Sequence, residues 1–464
     1  MSEQTSVVAV IGAGPASLYA TEVLAKEGYE VLILNRDIKP GGLAEFGIYP
    51  TKHKMKGGLR RYFDRILSRD NVHYRGNIRV GAEADITLEE VRELGVSARV
   101  VAVGAQGTKW LGLPGEDAES VFHAKDLVYH YNGLPPFSER EFPIGDDVVV
   151  VGMGNVSMDI VHWMVCEKQV KTVTAVARRG PAERKFTRKE YRLVSGAIDE
   201  GALDEELDRV APAMEEVGQD PEEHRKALKR FLDTPLEKES ETAFKMRFLS
   251  SPKSIEVDEI GTVKGLVCEK TTLKAPDKEG GRMGLNYLGE EVLVEGDTVV
   301  FAIGDAIEPS IGLPLSEDQR TFATVEEPWA EHPERPRYMV ADPEEGEPIW
   351  DTFVVGWARK ASDGLVGKAR ADAVQGCDEI LAYLRGEMEE QPANGQPVDQ
   401  ILEAFDALAS RRDLRTVNYG EVSRLKEMEE AEAEARGVEE FKFSSQQEML
   451  ERIGKVRPKE EAMG

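Results

Sequence analysis

The fold is decided by residues 6–17, which read SVVAVIGAGPAS, together with residues 147–157, which read DVVVVGMGNVS. Each stretch is a short apolar run without a helical period, followed by the pattern G-x-G-x-x-S and then by residues with helical spacing. This order is typical of a strand, a tight turn and a helix that hold the pyrophosphate of a dinucleotide. One such match is weak evidence. Because two occur in the same context, the sequence predicts two nucleotide sites.

The glycines of each motif have separate tasks. The first, Gly12 or Gly152, permits the tight turn, and the second, Gly14 or Gly154, lets the backbone approach the pyrophosphate. The N–H groups and the dipole at the start of the following helix then attract the negative charge. Serine stands at the third position of both motifs and is small enough for the helix to pack against the strand. The alternative is a pair of ordinary strand–helix turns that bind no nucleotide.

The end of the second strand distinguishes the two sites. In the first copy the strand leads to Asn35, with Asp37 two places later, and in the second it leads to Arg178 and Arg179. An acidic residue in this region selects a free ribose hydroxyl, whereas an arginine accommodates a 2′-phosphate. We therefore expect an unphosphorylated dinucleotide such as FAD in the first site and NADPH in the second. The alternative for the arginines is a solvated basic strand end.

Composition excludes several classes of protein. The chain has 464 residues, 41% of them hydrophobic, so two or three domains are expected. Its net charge of −27 argues against nucleic acid or an anionic membrane surface as a partner. The three cysteines lie outside any C-x-x-C pattern, which excludes a redox-active disulfide and an all-cysteine iron–sulfur cluster. The seven histidines lack metal-ligand spacing, so no metal is expected.

Targeting signals are not apparent in the sequence. The start of the chain carries neither a basic nor an apolar leader region, and no apolar run approaches the length that spans a membrane. We therefore expect a soluble, cytoplasmic protein, or an organelle-matrix protein whose transit peptide is absent.

Periodicity divides the chain into segments. Alternating strand and helix signals cover residues 6–105 and 147–196, and proline and charge predict a loop at 326–348. Positive charge is concentrated in Lys52–Arg61 and Arg178–Arg192, beside the nucleotide motifs, and these stretches are candidate anion contacts. Further segments are a polar helical insertion at 200–240, strands at 244–249, 262–270, 298–303 and 352–355, and helices at 364–385, 399–409, 421–435 and 445–453.

Motifs along nearly the whole chain carry a family resemblance. The chain resembles the adrenodoxin reductase-like branch of the ferredoxin–NADP reductases, which are relatives of the glutamate synthase small subunit. The motifs are, in order, GAGPAS (12–17), GGL (41–43), FGI (46–48), AVGA (102–105), LPGE (113–116), GMGNV (152–156), RRGP (178–181), FTRKE (186–190), IG (303–304), GW (356–357), RTVNY (415–419) and QEML (447–450).

The resemblance implies an α/β fold with two Rossmann-like, three-layer dinucleotide-binding domains and a helical C-terminal tail. The FAD-binding domain would be discontinuous, with its two parts at residues 1–106 and 306–464. The NADP-binding domain would occupy residues 107–305 between them.

The resemblance also implies roles for individual residues. Trp357 would act in catalysis by controlling how the nicotinamide enters; the alternative for this side chain is a core aromatic residue. The NADPH pyrophosphate would contact Gly152, Gly154, Asn155 and Val156, and its 2′-phosphate end would contact Arg178, Arg179 and Glu190. The FAD would contact Gly12, Gly14, Ala16, Asn35, Gly42, Leu43, Gly47, Ile48 and Gly104, with Gly356, Trp357, Gly364, Leu365 and Val366 closing the flavin and nicotinamide side.

Two positions depart from the family pattern. Asn35 stands where family members usually have glutamate, although its amide oxygen can still accept a hydrogen bond from a ribose hydroxyl. Pro50-Thr51-Lys52-His53 replaces a proline–acid–histidine stretch that is thought to relay protons or electrons. The change argues against a relay role for His53 and weakens the assignment of ferredoxin as acceptor.

The activity implied by the resemblance is that of a ferredoxin–NADP(+) reductase-like flavoprotein. Hydride would move between NADPH and FAD, and one-electron steps would link the flavin to a ferredoxin-type iron–sulfur protein. An acidic carrier of this kind would dock on the basic segment Lys52–Arg61. One alternative is a flavin subunit of a larger complex that delivers electrons to a cluster-bearing partner subunit. The other, less favoured, is a nucleotide-binding protein without catalysis.

Overall fold

The computed structural model describes residues 6–456, except for 277, 279, 280, 330, 331, 334, 336, 361–365 and 394. Strands and helices alternate through the first part of the chain. They are β1 (Val7–Ile11), α1 (Pro15–Lys26), β2 (Glu30–Leu34), α2 (Leu43–Phe46), α3 (His53–Leu67), β3 (Val72–Arg75), α4 (Leu88–Glu93), β4 (Ala98–Val101), β5 (Gly107–Thr108), β6 (Val121–His123) and α5 (Ala124–Tyr131).

The middle of the chain repeats the strand–helix order and then turns into strands. Its elements are β7 (Asp147–Val151), α6 (Asn155–Trp163), β8 (Thr172–Val176), α7 (Arg188–Leu193), α8 (Glu200–Glu215), α9 (Pro221–Lys229), β9 (Ala243–Arg247), β10 (Ser250–Val257), β11 (Val263–Lys274), β12 (Gly284–Glu295) and β13 (Thr298–Phe301). The last part is mostly helical and contains β14 (Asp305–Ala306), β15 (Met339–Ala341), β16 (Pro348–Val354), α10 (Trp357–Lys360), α11 (Val366–Leu384), α12 (Val398–Arg411), α13 (Tyr419–Arg436) and α14 (Gln446–Arg452).

The chain forms two compact units. The first contains Met1–Thr108, Tyr129–Glu139 and Asp305–Gly464, and the second contains Lys109–Val128 and Arg140–Gly304. The first unit is therefore built from both ends of the chain and a short middle segment.

Six strands form the main sheet of the first unit, in the order β15-β16-β4-β1-β2-β3. All pairs are parallel except β15 with β16. Parallel strands are buried on both faces, which explains why β1 is an uninterrupted apolar run with every residue buried. The strand order changes direction at β1, whose neighbours are β2 and β4. The carboxyl ends of the strands at such a switch point are where α/β folds bind ligands.

Five parallel strands form the main sheet of the second unit, in the order β6-β13-β7-β8-β9. β7 lies between β8 and β13, just as β1 lies between β2 and β4. An antiparallel sheet of β10, β11 and β12 belongs to the same unit. The predicted α/β class, with two parallel dinucleotide-binding sheets and C-terminal helices, is confirmed.

The sequence patterns predict the helices better than the short strands. α8 and α9 occupy the predicted polar insertion, and α12, α13 and α14 occupy the predicted tail. β15 lies within residues 326–348, which were predicted to be a loop, because three buried residues are too few to show a period. β12 is missed because most of its residues are exposed, so its apolar residues do not alternate with polar ones. Within the described ranges, no helix is both long and apolar enough to cross a membrane.

A buried ion pair joins β4 to β16. The Arg99 side chain is 4% exposed and donates to a carboxylate oxygen of Asp351 and to the Thr352 hydroxyl, both at 2.6 Å. A third hydrogen bond of 2.8 Å reaches the Leu88 carbonyl. Burial alone would raise the pKa of Asp351, but a hydrogen bond from Arg92 and the charge of Arg99 outweigh it and hold that pKa at about 2. The pair therefore ties together strands from opposite ends of the chain.

Replacing Arg99 with methionine should lower the free energy of unfolding by about 1.5–3 kcal/mol, because Asp351 would lose a buried charged hydrogen bond but keep its pair with Arg92. Urea denaturation followed by circular dichroism measures the loss. The control is Arg412→Met, which removes the exposed pair with Glu90 and should cost less than about 1 kcal/mol. Equal losses in the two variants would contradict a special role for the buried pair.

Candidate dinucleotide sites

A groove lies at the carboxyl ends of β1, β2 and β4 in the first unit. Its volume is about 1080 Å³, and this volume includes space that is open to solvent. The residues predicted to bind FAD lie in distant parts of the sequence, and the fold brings more than half of them to this one groove. They are Gly12, Gly14, Ala16, Asn35, Gly42, Leu43, Gly104 and Trp357.

The turn after β1 is fixed at its first glycine. The N–H of Gly12 donates to the Leu34 carbonyl at 2.7 Å, and its φ is +104°. A Cβ at Gly12 would lie 2.7 Å from the Ala102 carbonyl oxygen, so only glycine fits there. The Ser17 hydroxyl donates back to the Gly12 carbonyl at 2.5 Å. A Cβ at Gly14, by contrast, would meet no atom within 4 Å, so the groove has open space beside it.

Asn35 lies at the end of β2 and is 7% exposed. Its amide nitrogen donates to the Asp37 carbonyl at 2.8 Å, the Lys39 carbonyl at 3.3 Å and the Tyr74 hydroxyl at 3.0 Å. Because acceptors surround the nitrogen, the amide oxygen must occupy the opposite side of the group. The side chain therefore presents a fixed acceptor, which is what a ribose hydroxyl requires.

Two further polar residues of the groove were not predicted. Arg36 and Gln106 both line it, and the Arg36 guanidinium donates to the Gln106 side-chain oxygen at 3.2 Å. Arg36 also pairs with Asp37 at 2.9 Å, and the charge of Asp37 raises the pKa of Arg36. No motif marks these residues. Their positions next to Asn35 and two places after Gly104 are the only signal in the sequence.

The turn after β16 places an indole on the groove wall. The Gly356 N–H donates to the Asp372 carboxylate at 2.7 Å, and Arg359 pairs with the same carboxylate. A Cβ at Gly356 would lie 2.4 Å from the Cβ of Ala16, so this turn sits directly on the start of α1. Trp357 is half-buried and lines the groove. Its indole nitrogen is buried and has no hydrogen-bond partner among the described residues.

Two other predicted flavin contacts, Gly47 and Ile48, do not line this groove. Gly47 and Ile48 follow α2, where Gly47 packs against the first residue of that helix. Gly364 and Leu365 lie outside the described residues. Val366 begins α11, and its side chain is likewise outside the described part of the chain. Their roles stay predictions.

The groove fits the adenine dinucleotide expected in it. Open space beside Gly14 leaves room for a pyrophosphate at the start of α1. The oriented oxygen of Asn35 can accept from a ribose hydroxyl, and the buried indole N–H of Trp357 needs an acceptor that the described residues do not supply. These features together are consistent with bound FAD.

The turn after β7 repeats this geometry in the second unit. The Gly152 N–H donates to the last carbonyl of β8 at 2.9 Å, its φ is +129°, and a Cβ there would lie 2.3 Å from the Ala302 carbonyl oxygen. The Ser157 hydroxyl donates to the Gly152 carbonyl at 2.8 Å. A Cβ at Gly154 would meet nothing within 4 Å, and Val156 is 47% exposed beside it. The second turn is therefore equally open to a pyrophosphate.

The predicted 2′-phosphate contacts lie near this turn. Arg178 and Arg179 follow β8 after one intervening residue, and within the described residues no carboxylate forms an ion pair with either of them. Asn155 accepts a 2.8 Å hydrogen bond from the Thr187 N–H, and Glu190 pairs with the Thr187 hydroxyl. Asn155 and Glu190 are thus joined through one residue at the start of α7. An arginine pair that forms no ion pair with the described carboxylates, at a strand end, suits an anion.

The basic segment Lys52–Arg61 is not a continuous surface. Lys56 is 1% exposed, and its ammonium donates to the Asn132 side-chain oxygen at 2.8 Å. Burial, followed by the charge of Lys442, lowers the pKa of Lys56 to about 7. The expectation that the whole segment docks a partner is therefore wrong at Lys56, which faces inward.

Arg60 and His53 face the C-terminal segment of the chain. Arg60 forms a bidentate pair with Glu45, at 2.6 and 2.5 Å, and a further pair with Glu440. The ring nitrogens of His53 lie 3.4 Å from a Glu439 carboxylate and 3.6 Å from that of Glu440. His53 does not line the groove that contains Trp357. Arg60 is therefore also unsuited to docking, because two carboxylates already neutralise it.

The three cysteines are free thiols. Burial raises the pKa of Cys268 and Cys377 to about 12 and that of Cys166 to about 11. Thiols with such pKa values are protonated at neutral pH and react poorly. Such thiols suit a structural role better than a redox role.

Comparisons with known proteins agree with the two nucleotide sites. Residues 6–195 match the family model described as pyridine nucleotide-disulphide oxidoreductase. NADPH-ferredoxin reductase FprA of Mycobacterium tuberculosis is 26% identical, with 96% of this chain and 98% of that protein covered. Human mitochondrial NADPH:adrenodoxin oxidoreductase is also 26% identical, with coverages of 97% and 93%.

A solved structure shows that the fold is shared as well. The structure of FprA from Mycobacterium tuberculosis that revealed a covalent modification of NADP⁺ matches with a TM-score of 0.78 and 25% identity. The match covers 97% of this chain and 99% of that one. The predicted resemblance to the adrenodoxin reductase-like ferredoxin–NADP reductases is thereby confirmed along nearly the whole chain.

Proposed function

We propose that this protein is an FAD-dependent oxidoreductase that passes electrons between NADPH and a ferredoxin-type iron–sulfur protein. The observation that carries the proposal is a pair of matching glycine turns with different strand ends. One presents the oriented amide oxygen of Asn35, and the other presents Arg178 and Arg179. Relatives named NADPH-ferredoxin reductase and NADPH:adrenodoxin oxidoreductase support the same donor and acceptor. We assign FAD to the first unit and NADP to the second.

The chain itself contributes binding and orientation. When bound, FAD supplies the chemistry by exchanging a hydride with NADPH and single electrons with the iron–sulfur protein. The starts of α1 and α6 attract the two pyrophosphates. Asp372 and Arg359 hold the Gly356–Trp357 turn, so that the indole stays on the groove wall. We propose Trp357 as the residue that controls how the nicotinamide meets the flavin.

The exposed face of α3 is the surface we propose for the iron–sulfur protein. Lys54, Arg61 and Arg65 are exposed. Together with Gly58 they occupy positions 54, 58, 61 and 65 of α3, and this spacing of three or four residues places them along one stripe of the helix. This stripe replaces the wider Lys52–Arg61 segment, whose inward residues are already paired. A small acidic carrier would find positive charge here on a chain with a net charge of −27.

A flavin subunit of a larger complex is the second candidate function. The observation that favours it is the position of His53, which pairs with the C-terminal segment instead of lining the flavin groove. Co-purification with a cluster-bearing subunit, without turnover of free ferredoxin, would select this candidate. For location we propose the cytoplasm, as for a bacterial reductase, with an organelle matrix as the alternative suggested by the mitochondrial relatives.

Valine substitutions at the second glycine of each motif, Gly14 and Gly154, should each weaken the binding of a different cofactor. Gly14→Val should purify with much less than one FAD per chain, because a Cβ at Gly14 meets no protein atom within 4 Å and the side chain would enter the space left for the pyrophosphate. Gly154→Val is the matched control and should keep its yellow FAD but bind NADPH at least about tenfold more weakly. Absorbance of flavin released by denaturation gives the stoichiometry. An unmutated chain that takes up no FAD would exclude the proposed function.

Arg178→Ala should raise the KM for NADPH about ten- to a hundredfold and leave the KM for NADH nearly unchanged. A lost charged hydrogen bond to the 2′-phosphate costs about 1.5–3 kcal/mol, and NADH has no such group. Flavin reduction followed at 450 nm in anaerobic stopped flow measures both constants. If the unmutated protein used both nucleotides equally well, the arginines would be solvated surface only.

Lys54→Glu with Arg61→Glu should reduce ferredoxin-dependent cytochrome c reduction about tenfold at low salt, and less at high salt because exposed charges are screened. Direct flavin reduction by NADPH should not change. Arg320→Glu with Arg411→Glu makes the same charge change at exposed sites elsewhere and serves as the control. Equal effects of the two double variants would show that only overall charge matters and that α3 is not the docking surface.

A further inference from the structure

The hairpin of β11 and β12 lies against the arginine pair of the second unit. The Thr271 hydroxyl on β11 donates to the Arg178 carbonyl at 2.8 Å. A Cβ at Gly180 would lie 3.5 Å from a methyl carbon of Leu273, so the same strand packs behind the next turn. The hairpin is therefore fixed to the segment that follows β8, on the side where the second strand of a dinucleotide fold meets the ribose.

The returning arm of the hairpin contacts the arginines too. The Nε of Arg179 donates to the Met283 carbonyl at 3.1 Å. Met283 immediately precedes β12, whose first residue pairs with Lys274 across the hairpin. Arg282, one residue before Met283, is exposed. Because Met283 is bonded to Arg179, Arg282 lies close to Arg179 as well.

Positive charges predominate around Arg179, and the carboxylate of Glu183 opposes them less strongly. Burial lowers the pKa of Arg179, and the positive charges of Arg282 and then Arg178 lower it further. The charge of Arg282 lowers the pKa of Arg179 more than the charge of Arg178 does, although Arg178 is the adjacent residue in the chain. In the described part of the chain, none of the three guanidinium groups has a carboxylate in an ion pair. Three arginines close together, none of them in an ion pair with a described carboxylate, are suited to an anion.

We propose that Arg282 is a third specificity-determining residue, which contacts the 2′-phosphate of NADPH together with Arg178 and Arg179. The inference rests on the proposed function, since it concerns the same site. It adds that selection of NADPH over NADH depends on the β11–β12 hairpin as well as on the strand end. The phosphate dianion would be held from two separate chain segments, so its binding would also stabilise the position of the hairpin.

Binding of a fragment that carries only the relevant phosphate tests the proposal without turnover. Calorimetry of the purified flavoprotein with 2′,5′-ADP should show at least fivefold weaker binding in Arg282→Ala, and 5′-ADP should bind equally well before and after the substitution. Arg282→Lys keeps the charge but loses the planar guanidinium. Its affinity for 2′,5′-ADP should therefore lie between those of the unmutated protein and Arg282→Ala. Lys278→Ala removes a cation from the same exposed hairpin and is the matched control, with less than twofold change.

Kinetics give the second readout. Arg282→Ala should raise the KM for NADPH at least fivefold, leave the KM for NADH within twofold, and leave the flavin content unchanged. If Arg282→Ala behaves like Lys278→Ala while Arg178→Ala still loses NADPH, the inference fails and the proposed function stands. If the unmutated protein binds 2′,5′-ADP no better than 5′-ADP, the assignment of NADPH itself fails.

Discussion

A single steric constraint underlies both units of this molecule. In each unit, the turn after the first strand passes so close to the end of a neighbouring strand that it has no room for a Cβ. In the first unit this happens at Gly12 against the Ala102 carbonyl, and in the second at Gly152 against the Ala302 carbonyl. Each alanine directly follows the strand on the far side of the switch point, β4 or β13. Each glycine N–H is bonded to the strand on the near side, β2 or β8. The turn is thus fixed between two strand ends, and the helix start that binds pyrophosphate is placed by it.

The two sites diverge only where the constraint ends. Serine in both motifs bonds back to the first glycine carbonyl, so the backbone of the turn is the same in each unit. The residues after the second strands are free to differ, and they do. Asn35 is fixed by three acceptors and offers a neutral oxygen, whereas Arg178 and Arg179 offer charged donors. We therefore propose that cofactor selection resides in a few side chains at and beside the second strand of each unit, supported by a scaffold that does not need to change.

What the sequence could predict follows from the range of each interaction. Apolar runs, glycine turns and strand-end residues are local patterns, and they predict both sheets and the candidate cofactor contacts. The contact of Gly356 with Ala16 joins distant parts of the chain, and no local pattern encodes it. Arg36 and Gln106 enter the groove for the same reason, through the path of the chain after strand ends. The strand β12 is mostly exposed, and its apolar residues do not alternate with polar ones in a way from which a strand could be predicted.

The basic segment shows why a run of charge in a sequence does not define a surface. Its residues lie on α3, and a helical period of 3.6 residues sends Lys56 and Arg60 inward together because they are four apart. There Lys56 donates to Asn132, and Arg60 pairs with Glu45 and with Glu440 of the acidic C-terminal segment. Lys54 and Arg61 remain outside on another stripe. The basic segment thus serves two purposes: the inward Arg60 attaches the C-terminal segment to α3, and the outward Lys54 and Arg61 leave a local positive field on an acidic protein. That field, and not the net charge of the chain, determines which partner can approach this helix.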